Sequence, residues 1–151
     1  MFIVFDLDGT LALNEHRQHF VRKDDKSTED WHPNWKAFFE ACDKDEPNWH
    51  ILAILYALEK RGHKIEIWSG RSAEVYDKTM TWLGKYDLQH LCIRMREEGD
   101  YTPDEQLKKK WLDEATTAGM KPDLVFDDRD KVVKMWRENG IVCCQVAEGS
   151  F

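Results

Sequence analysis

Short apolar runs alternate along this chain with longer stretches in which apolar residues recur at helical spacing. Phe2-Ile3-Val4-Phe5 is wholly apolar and β-favouring, the mark of a strand buried on both faces, and it ends in Asp6-Leu7-Asp8-Gly9-Thr10. Between His50 and Arg61, the positions Ile51, Ile54, Leu55 and Leu58 follow the i, i+3, i+4, i+7 rule of a helix lying on a sheet, and Gly62 stops it. Lys64 to Trp68 predicts a second strand, giving way to Ser69-Gly70-Arg71-Ser72. Ser72 suits the N-cap of a helix with Val75, Thr79, Trp82, Leu83 and Tyr86 on one face. Leu91 to Met95 predicts a third strand, with Arg96 just past its end. After a loop, a helix starts at Pro103 and carries Leu107, Trp111, Leu112 and Ala115 to Gly119. Asp123 to Phe126 predicts a fourth strand ending in Asp127-Asp128-Arg129-Asp130. Val132, Val133 and Trp136 give a last helical face, and Ile141 to Val146 a fifth strand.

Strands that alternate with helices predict an α/β fold, here a three-layer doubly wound parallel sheet of five core strands. In such a sheet the ligand site lies outside the carboxyl ends of the strands, where this chain places polar groups after each of its first four strands. The exception to the alternation is the segment from 12 to 48. It is polar and mixed in charge, is interrupted by Pro33 and Pro47, and gathers its apolar residues at Trp31, Trp35, Phe38 and Phe39. It reads as an insertion beside the site, built of loop and a short helix. With 151 residues, no internal repeat and no linker, the chain is expected to form one domain over 1–151.

Composition narrows the partners. No apolar run approaches the ~20 residues of a membrane span and no basic segment precedes the first strand, so a cytoplasmic location without a membrane partner is expected. Cys42, Cys92, Cys143 and Cys144 lack CxxC spacing and suggest reduced, buried thiols. The six histidines have no zinc-like spacing. A net charge of −7 argues against a broad grip on duplex nucleic acid, while leaving room for a strand end in a local basic pocket. No feature calls for an obligate protein partner.

The chemistry concentrates at the first strand end. Residues two apart on an extended chain point the same way, so Asp6 and Asp8 can converge on one small volume. Two carboxylates there call for a cation, and Mg²⁺ with its oxygen ligands is the natural one. Asp127 and Asp128 follow another strand and could complete the set.

In order and type, Asp6-Leu7-Asp8-Gly9-Thr10, then Ser69, then a lysine before the fourth strand, then Asp127-Asp128, resemble the four motifs of the haloacid-dehalogenase-like phosphatase superfamily. Asp127-Asp128-Arg129, Val132 through Arg137, then Gly140 and Cys143 through Phe151, are similar to the 3′-phosphatase domain of phage polynucleotide kinase–phosphatases. No GxxxxGK[ST] loop accompanies them, so no kinase activity is expected of this chain.

The resemblance implies an Mg²⁺-dependent phosphomonoesterase. Asp6 would be the nucleophile that forms an aspartyl phosphate, and Asp8 the general acid and base, which requires a raised pKa. Asp6, Asp8 through its backbone carbonyl, Asp127 and Asp128 would hold the metal. Ser69 would bind a phosphate oxygen. Of Lys108, Lys109 and Lys110, alignment selects Lys108 to sit between nucleophile and phosphate. Thr10, Gly70 and three arginines, Arg17, Arg71 and Arg96, would bind substrate, the arginines lining the mouth of the site. The implied substrates are 3′-phosphorylated DNA or RNA ends. Phosphatase action on free nucleotides and a non-catalytic binding module are the competing readings.

Overall fold

The computed structural model describes residues 1–23 and 30–150, so positions 24–29 of the insertion and the C-terminal Phe151 lie outside the described residues. Strand β1 (Phe2–Phe5) is the centre of a five-stranded sheet. It pairs in parallel with β4 (Lys64–Ser72) on one side and with β6 (Leu124–Asp127) on the other. Strands β5 (Cys92–Arg96) and β7 (Val142–Gln145) flank these, also in parallel, giving the order β5-β4-β1-β6-β7. Between β1 and β6 the winding reverses direction, and the ends of those two strands carry Asp6 and Asp127. That crevice is where an open α/β sheet binds its ligand.

A strand with neighbours on both sides and helices on both faces can be apolar throughout. Alternation along β1 assigns each residue to a layer. Ile3 and Phe5 pack with Leu52 and Leu55 of α2 (Trp49–Lys60) and with Trp82 and Leu83 of α3 (Tyr76–Lys85). Val4 faces the opposite layer, where Leu107, Trp111 and Leu112 of α4 (Asp104–Thr117) meet Val132, Val133 and Trp136 of α5 (Asp130–Glu138). Phe5 and Phe126 stack at 4.5 Å across the central pair.

Three differences from the sequence reading have plain causes. On α2 the buried face runs through Ile51, Leu52 and Leu55, and Ile54 turns outward, because a run rich in apolar residues offers more than one possible stripe. Strand β4 continues past Trp68 to Ser72 with a register shift against β5 between Ser69 and Ser72, which carries the polar Ser69-Gly70-Arg71 along the strand itself. Ser72 Oγ does accept a bond from Glu74 N, at 3.3 Å, but it caps a 3₁₀ turn (Ala73–Val75) that precedes α3.

The insertion holds more than a loop and one helix. A two-stranded antiparallel pair, β2 (Ala12–Leu13) with β3 (Glu46–Pro47), closes its base. Between them lie 3₁₀ turns at Glu15–Phe20 and Cys42–Lys44 and the helix α1 (Trp35–Glu40), whose first turn is capped by Asn34 Oδ1. All four cysteines are free; Cys42 and Cys143 are buried as expected, while Cys92 and Cys144, on the two edge strands, are exposed. Among the described residues no helix is long and apolar enough to cross a membrane.

Candidate active site

Asp6 leaves β1 with its backbone N–H still bonded to Phe126 O of β6 at 2.9 Å, so two strand ends arrive level with each other. As a result Asp6, Asp127 and Asp128 each bring a carboxylate oxygen within 4.8 Å of the other two. Lys108 reaches them from α4, where it shares the buried face with Leu107, Trp111 and Leu112. Its Nζ donates to Asp6 Oδ1 at 2.6 Å and to Asp127 Oδ2 at 2.8 Å. Lys109 instead pairs with Asp113 one turn on, and Lys110 is exposed, so the helix register singles out Lys108. Trp136 Nε1 and Arg129 N also donate to Asp127, each at 3.3 Å.

The loop after β1 doubles back at Gly9, whose φ of +86° favours glycine. A Cβ there would lie 2.2 Å from Asp128 Oδ2, so only glycine lets the loop lie against that carboxylate. Asp128 Oδ1 is buried and accepts no hydrogen bond among the described residues. Burial pushes the Asp6 carboxyl well above its usual range; Lys108 opposes this, and Asp127 and Asp128 add to it. Asp128 is pushed up to about 7, by burial first and by Asp127 second. Lys108 stays protonated: burial disfavours its charge, but Asp127 and Asp6 hold it well above the ordinary lysine value. Three carboxylates against one ammonium, with one oxygen unpartnered, form a donor set suited to a hard divalent cation.

Asp8 faces a different environment and corrects an expectation. Its carboxylate is clamped by Arg17 Nη2 at 2.5 Å and by Arg71 through both Nε, at 3.2 Å, and Nη2. Burial alone would raise its pKa, yet Arg71 and Arg17 outweigh burial and hold it well below the usual carboxylate range, so in the free protein it is ionised rather than protonated. Its side chain lies outside the three-carboxylate cluster, and any part it takes in a metal set falls to its backbone carbonyl.

Arg17 and Arg71 do not stand at the mouth. They are 0% and 1% exposed, and their donors are committed inside the fold. Arg17 Nε and Nη2 bond the two oxygens of Asp45 at 2.7 and 2.6 Å, and Nη1 bonds Phe38 O at 3.2 Å. Arg71 adds Asp45 Oδ2 at 3.0 Å and Thr79 Oγ1 at 3.2 Å. Two buried guanidiniums thus balance two carboxylates, Asp8 and Asp45, an arrangement costly to break on either side.

Ser69, on β4, is fully buried and its Oγ accepts from Arg71 N at 3.2 Å, while Thr10, in the loop after β1, is buried and its Oγ1 has no partner among the described residues. Gly70 packs against Asp104 with no space for a side chain. Arg96 does border the opening, but it is tied to Gly70 O at 2.8 Å, Thr102 O at 2.5 Å and the Asp104 carboxylate. Asp8 and Asp6 lie at the bottom of a cleft of about 520 Å³, walled in part by α1 and in part by the loop before α4.

Two residues of this network escaped the sequence reading. Asp45 is a lone acid in a polar insertion and carries no local signal. Asp104 opens a helix, where an acid is expected for the dipole alone, and its pairing with Arg96 and Arg129 appears only in three dimensions.

In fold the chain is similar to solved hydrolases of the haloacid-dehalogenase-like superfamily. One from Ehrlichia chaffeensis superposes with a TM-score of 0.57 at 17% identity, over 98% of this chain and 87% of that one. That likeness defines the architecture as the superfamily's α/β fold. Sequence then defines the family: residues 1–151 match the family model described as the polynucleotide kinase PNKP phosphatase domain, and the chain belongs to that family of phosphoric monoester hydrolases. A chain of the Pnkp1/Rnl/Hen1 RNA repair complex is 28% identical, with a TM-score of 0.78 over 99% of this chain and 43% of that one. A protein of Autographa californica nuclear polyhedrosis virus, named "Putative bifunctional polynucleotide kinase/RNA ligase", is 30% identical over 137 residues, which are 90% of this chain and 18% of the viral protein. The chain therefore spans less than half the length of either relative.

Proposed function

We propose that this phosphomonoesterase removes the phosphate from the 3′ end of a polynucleotide, using Mg²⁺. The observation that carries the reading is the buried cluster of Asp6, Lys108, Asp127 and Asp128, whose Asp6 lines a cleft, in a chain that matches a polynucleotide kinase phosphatase family over residues 1–151. Asp6 acts as the nucleophile: its carboxylate oxygen forms a bond to phosphorus as the bond to the 3′ oxygen breaks, and water then attacks the acyl phosphate to release inorganic phosphate. Lys108 keeps Asp6 turned toward the cleft and offsets the negative charge it shares with Asp127.

A divalent cation held by Asp6, Asp127 and Asp128 would supply positive charge against a phosphate oxygen and lower the repulsion between phosphate and nucleophile. Asp8 moves the proton, giving one to the leaving 3′ oxygen and taking one from the attacking water. Because Arg17 and Arg71 hold it ionised beforehand, it takes up that proton when phosphate binds beside it, since nearby negative charge raises a carboxylate's proton affinity. Ser69, on β4, and Thr10, in the loop after β1, are assigned to the phosphate oxygens.

The test is an assay of purified protein on matched 3′-phosphorylated and 5′-phosphorylated oligonucleotides and on nucleoside 3′-monophosphates, with and without Mg²⁺. Fast release from the 3′ oligonucleotide, slower release from the mononucleotide and little from the 5′ end are expected, all stopped reversibly by chelator. Equal rates on the two ends would replace this reading with a general phosphatase of small phosphomonoesters.

A further inference from the structure

The charged groups that line the cleft are largely spoken for by one another. Arg71 pairs with Asp8, Arg96 and Arg129 pair with the same Asp104, and Glu74 and Asp100 add negative charge to the lining. Lys36 is the remaining lysine of the lining, so a polynucleotide drawn in by its phosphates alone would meet little positive charge, and the chain's net charge of −7 works in the same direction. What the cleft offers instead is aromatic surface. Trp35 is 46% exposed and Tyr101 is 89% exposed, and both line it. They come from separate elements, α1 in the insertion and the loop between β5 and α4.

The Trp35 ring is held in place rather than free to swing. It meets Phe38 edge-on at 5.7 Å and lies against Phe39 at 6.0 Å. Phe38 is buried, with the Arg17 guanidinium 4.1 Å from its ring centroid. Arg17 in turn bonds Asp8. A continuous series of contacts therefore ties Trp35 to Asp8, while Tyr101 lines the same cleft from the loop before α4.

We infer that Trp35 and Tyr101 form a stacking subsite for the nucleobase on the phosphate-bearing sugar, so that the form recognised is an unpaired terminal nucleotide. The inference rests on the reading of the chain as a phosphatase of polynucleotide ends and names what holds the end. Every base has a π face, so such a subsite accepts any base while requiring that it be unstacked from its neighbour and unpaired from any partner strand. A blunt, paired end is the poorer substrate.

Two 3′-phosphorylated single strands of equal length, one with its terminal base removed to leave the sugar, present identical phosphates. The wild-type protein should show kcat/KM about tenfold lower on the abasic strand, the scale expected of one stacked base. Trp35→Ala and Tyr101→Ala should bring that ratio toward one, and Trp35→Phe should retain most of it. A wild-type ratio near one, which needs no variant to fold, overturns the subsite, as do variants that slow both strands in equal proportion. The ratio is read within one kind of end. If 5′ phosphates prove the better substrates, the end assignment falls, while the same pair of strands built at that end still decides the stacking.

Discussion

At the scale of single residues the site is two charge clusters with opposite requirements. Asp6, Asp127 and Asp128 carry more negative charge than Lys108 balances, whereas Asp8 and Asp45 are matched by Arg17 and Arg71. Lys108→Ala should therefore lower turnover by orders of magnitude, because it removes the ammonium bonded to both Asp6 and Asp127. Lys109→Ala, which breaks only an exposed pair with Asp113, should change it little. Steady-state rates of the two variants on one phosphomonoester make the comparison; a larger loss in the Lys109 variant would mean that α4 is in another register. Asp8→Asn should collapse the rate on an alkyl phosphate but spare much of it on an aryl phosphate, whose leaving oxygen needs no proton. Equal losses on both would remove Asp8 from proton transfer. The same substitution leaves two buried guanidiniums undercompensated, and a lower melting temperature should accompany it.

At the scale of elements, the loop carrying Asp127 and Asp128 is braced by the last strand and the residues after it. Val146 N donates to Asp127 O at 3.0 Å, Gln145 Nε2 to Asp128 O at 3.0 Å, and Asp130 N to Gly149 O at 2.9 Å. A Cβ on Gly149 would lie 2.2 Å from Asp128 O and 2.6 Å from Arg129 Cα. Those are backbone atoms, which cannot swing aside as a flexible side chain can. Gly149→Ala should therefore displace Asp128, although residue 149 touches no substrate in the proposed reaction. The concentration of Mg²⁺ giving half-maximal activity should rise roughly tenfold or more, as for other residues that orient metal ligands. Unchanged metal dependence in a folded variant would show that the tail is only packing.

At the scale of the whole molecule, the proposed reaction sets metal and protons in competition for the crevice between β1 and β6. Asp128, pushed up to about 7, binds a proton below that pH and releases it above, and Asp6 is shifted in the same direction. A cation must displace those protons, so its affinity falls as pH falls and levels off once Asp128 is ionised. Titrating activity with Mg²⁺ at pH 6, 7 and 8 should give a half-saturating concentration that rises about twofold from pH 8 to 7 and about fivefold from 7 to 6, if release of the Asp128 proton governs it. Half-saturation that stays constant from pH 6 to 8 would take Asp128 out of the metal set. In the protein without phosphate Asp8 contributes no transition in this window, because its arginine partners hold it well below the usual carboxylate range.

The order of strands and helices, the central apolar strand and the delivery of Asp6 and Asp127 to a common edge were all legible in the sequence, because burial on a sheet imposes periods of 2 and 3.6 on neighbouring residues. Lys108 was singled out among three consecutive lysines only by the family resemblance, and it is the structure that puts it on the buried face with Leu107, Trp111 and Leu112. What periodicity could not report is which charges far apart in the chain become partners. Arg17 and Asp45 are separated by 28 positions, and Arg71 and Asp8 by 63, in segments with no repeating pattern to relate them. The arginines were therefore expected at the mouth, and Asp8 was expected to hold a proton. Only the tertiary structure buries the four groups together, and in a poorly solvated interior their mutual charges, not their sequence neighbours, decide which of them is ionised.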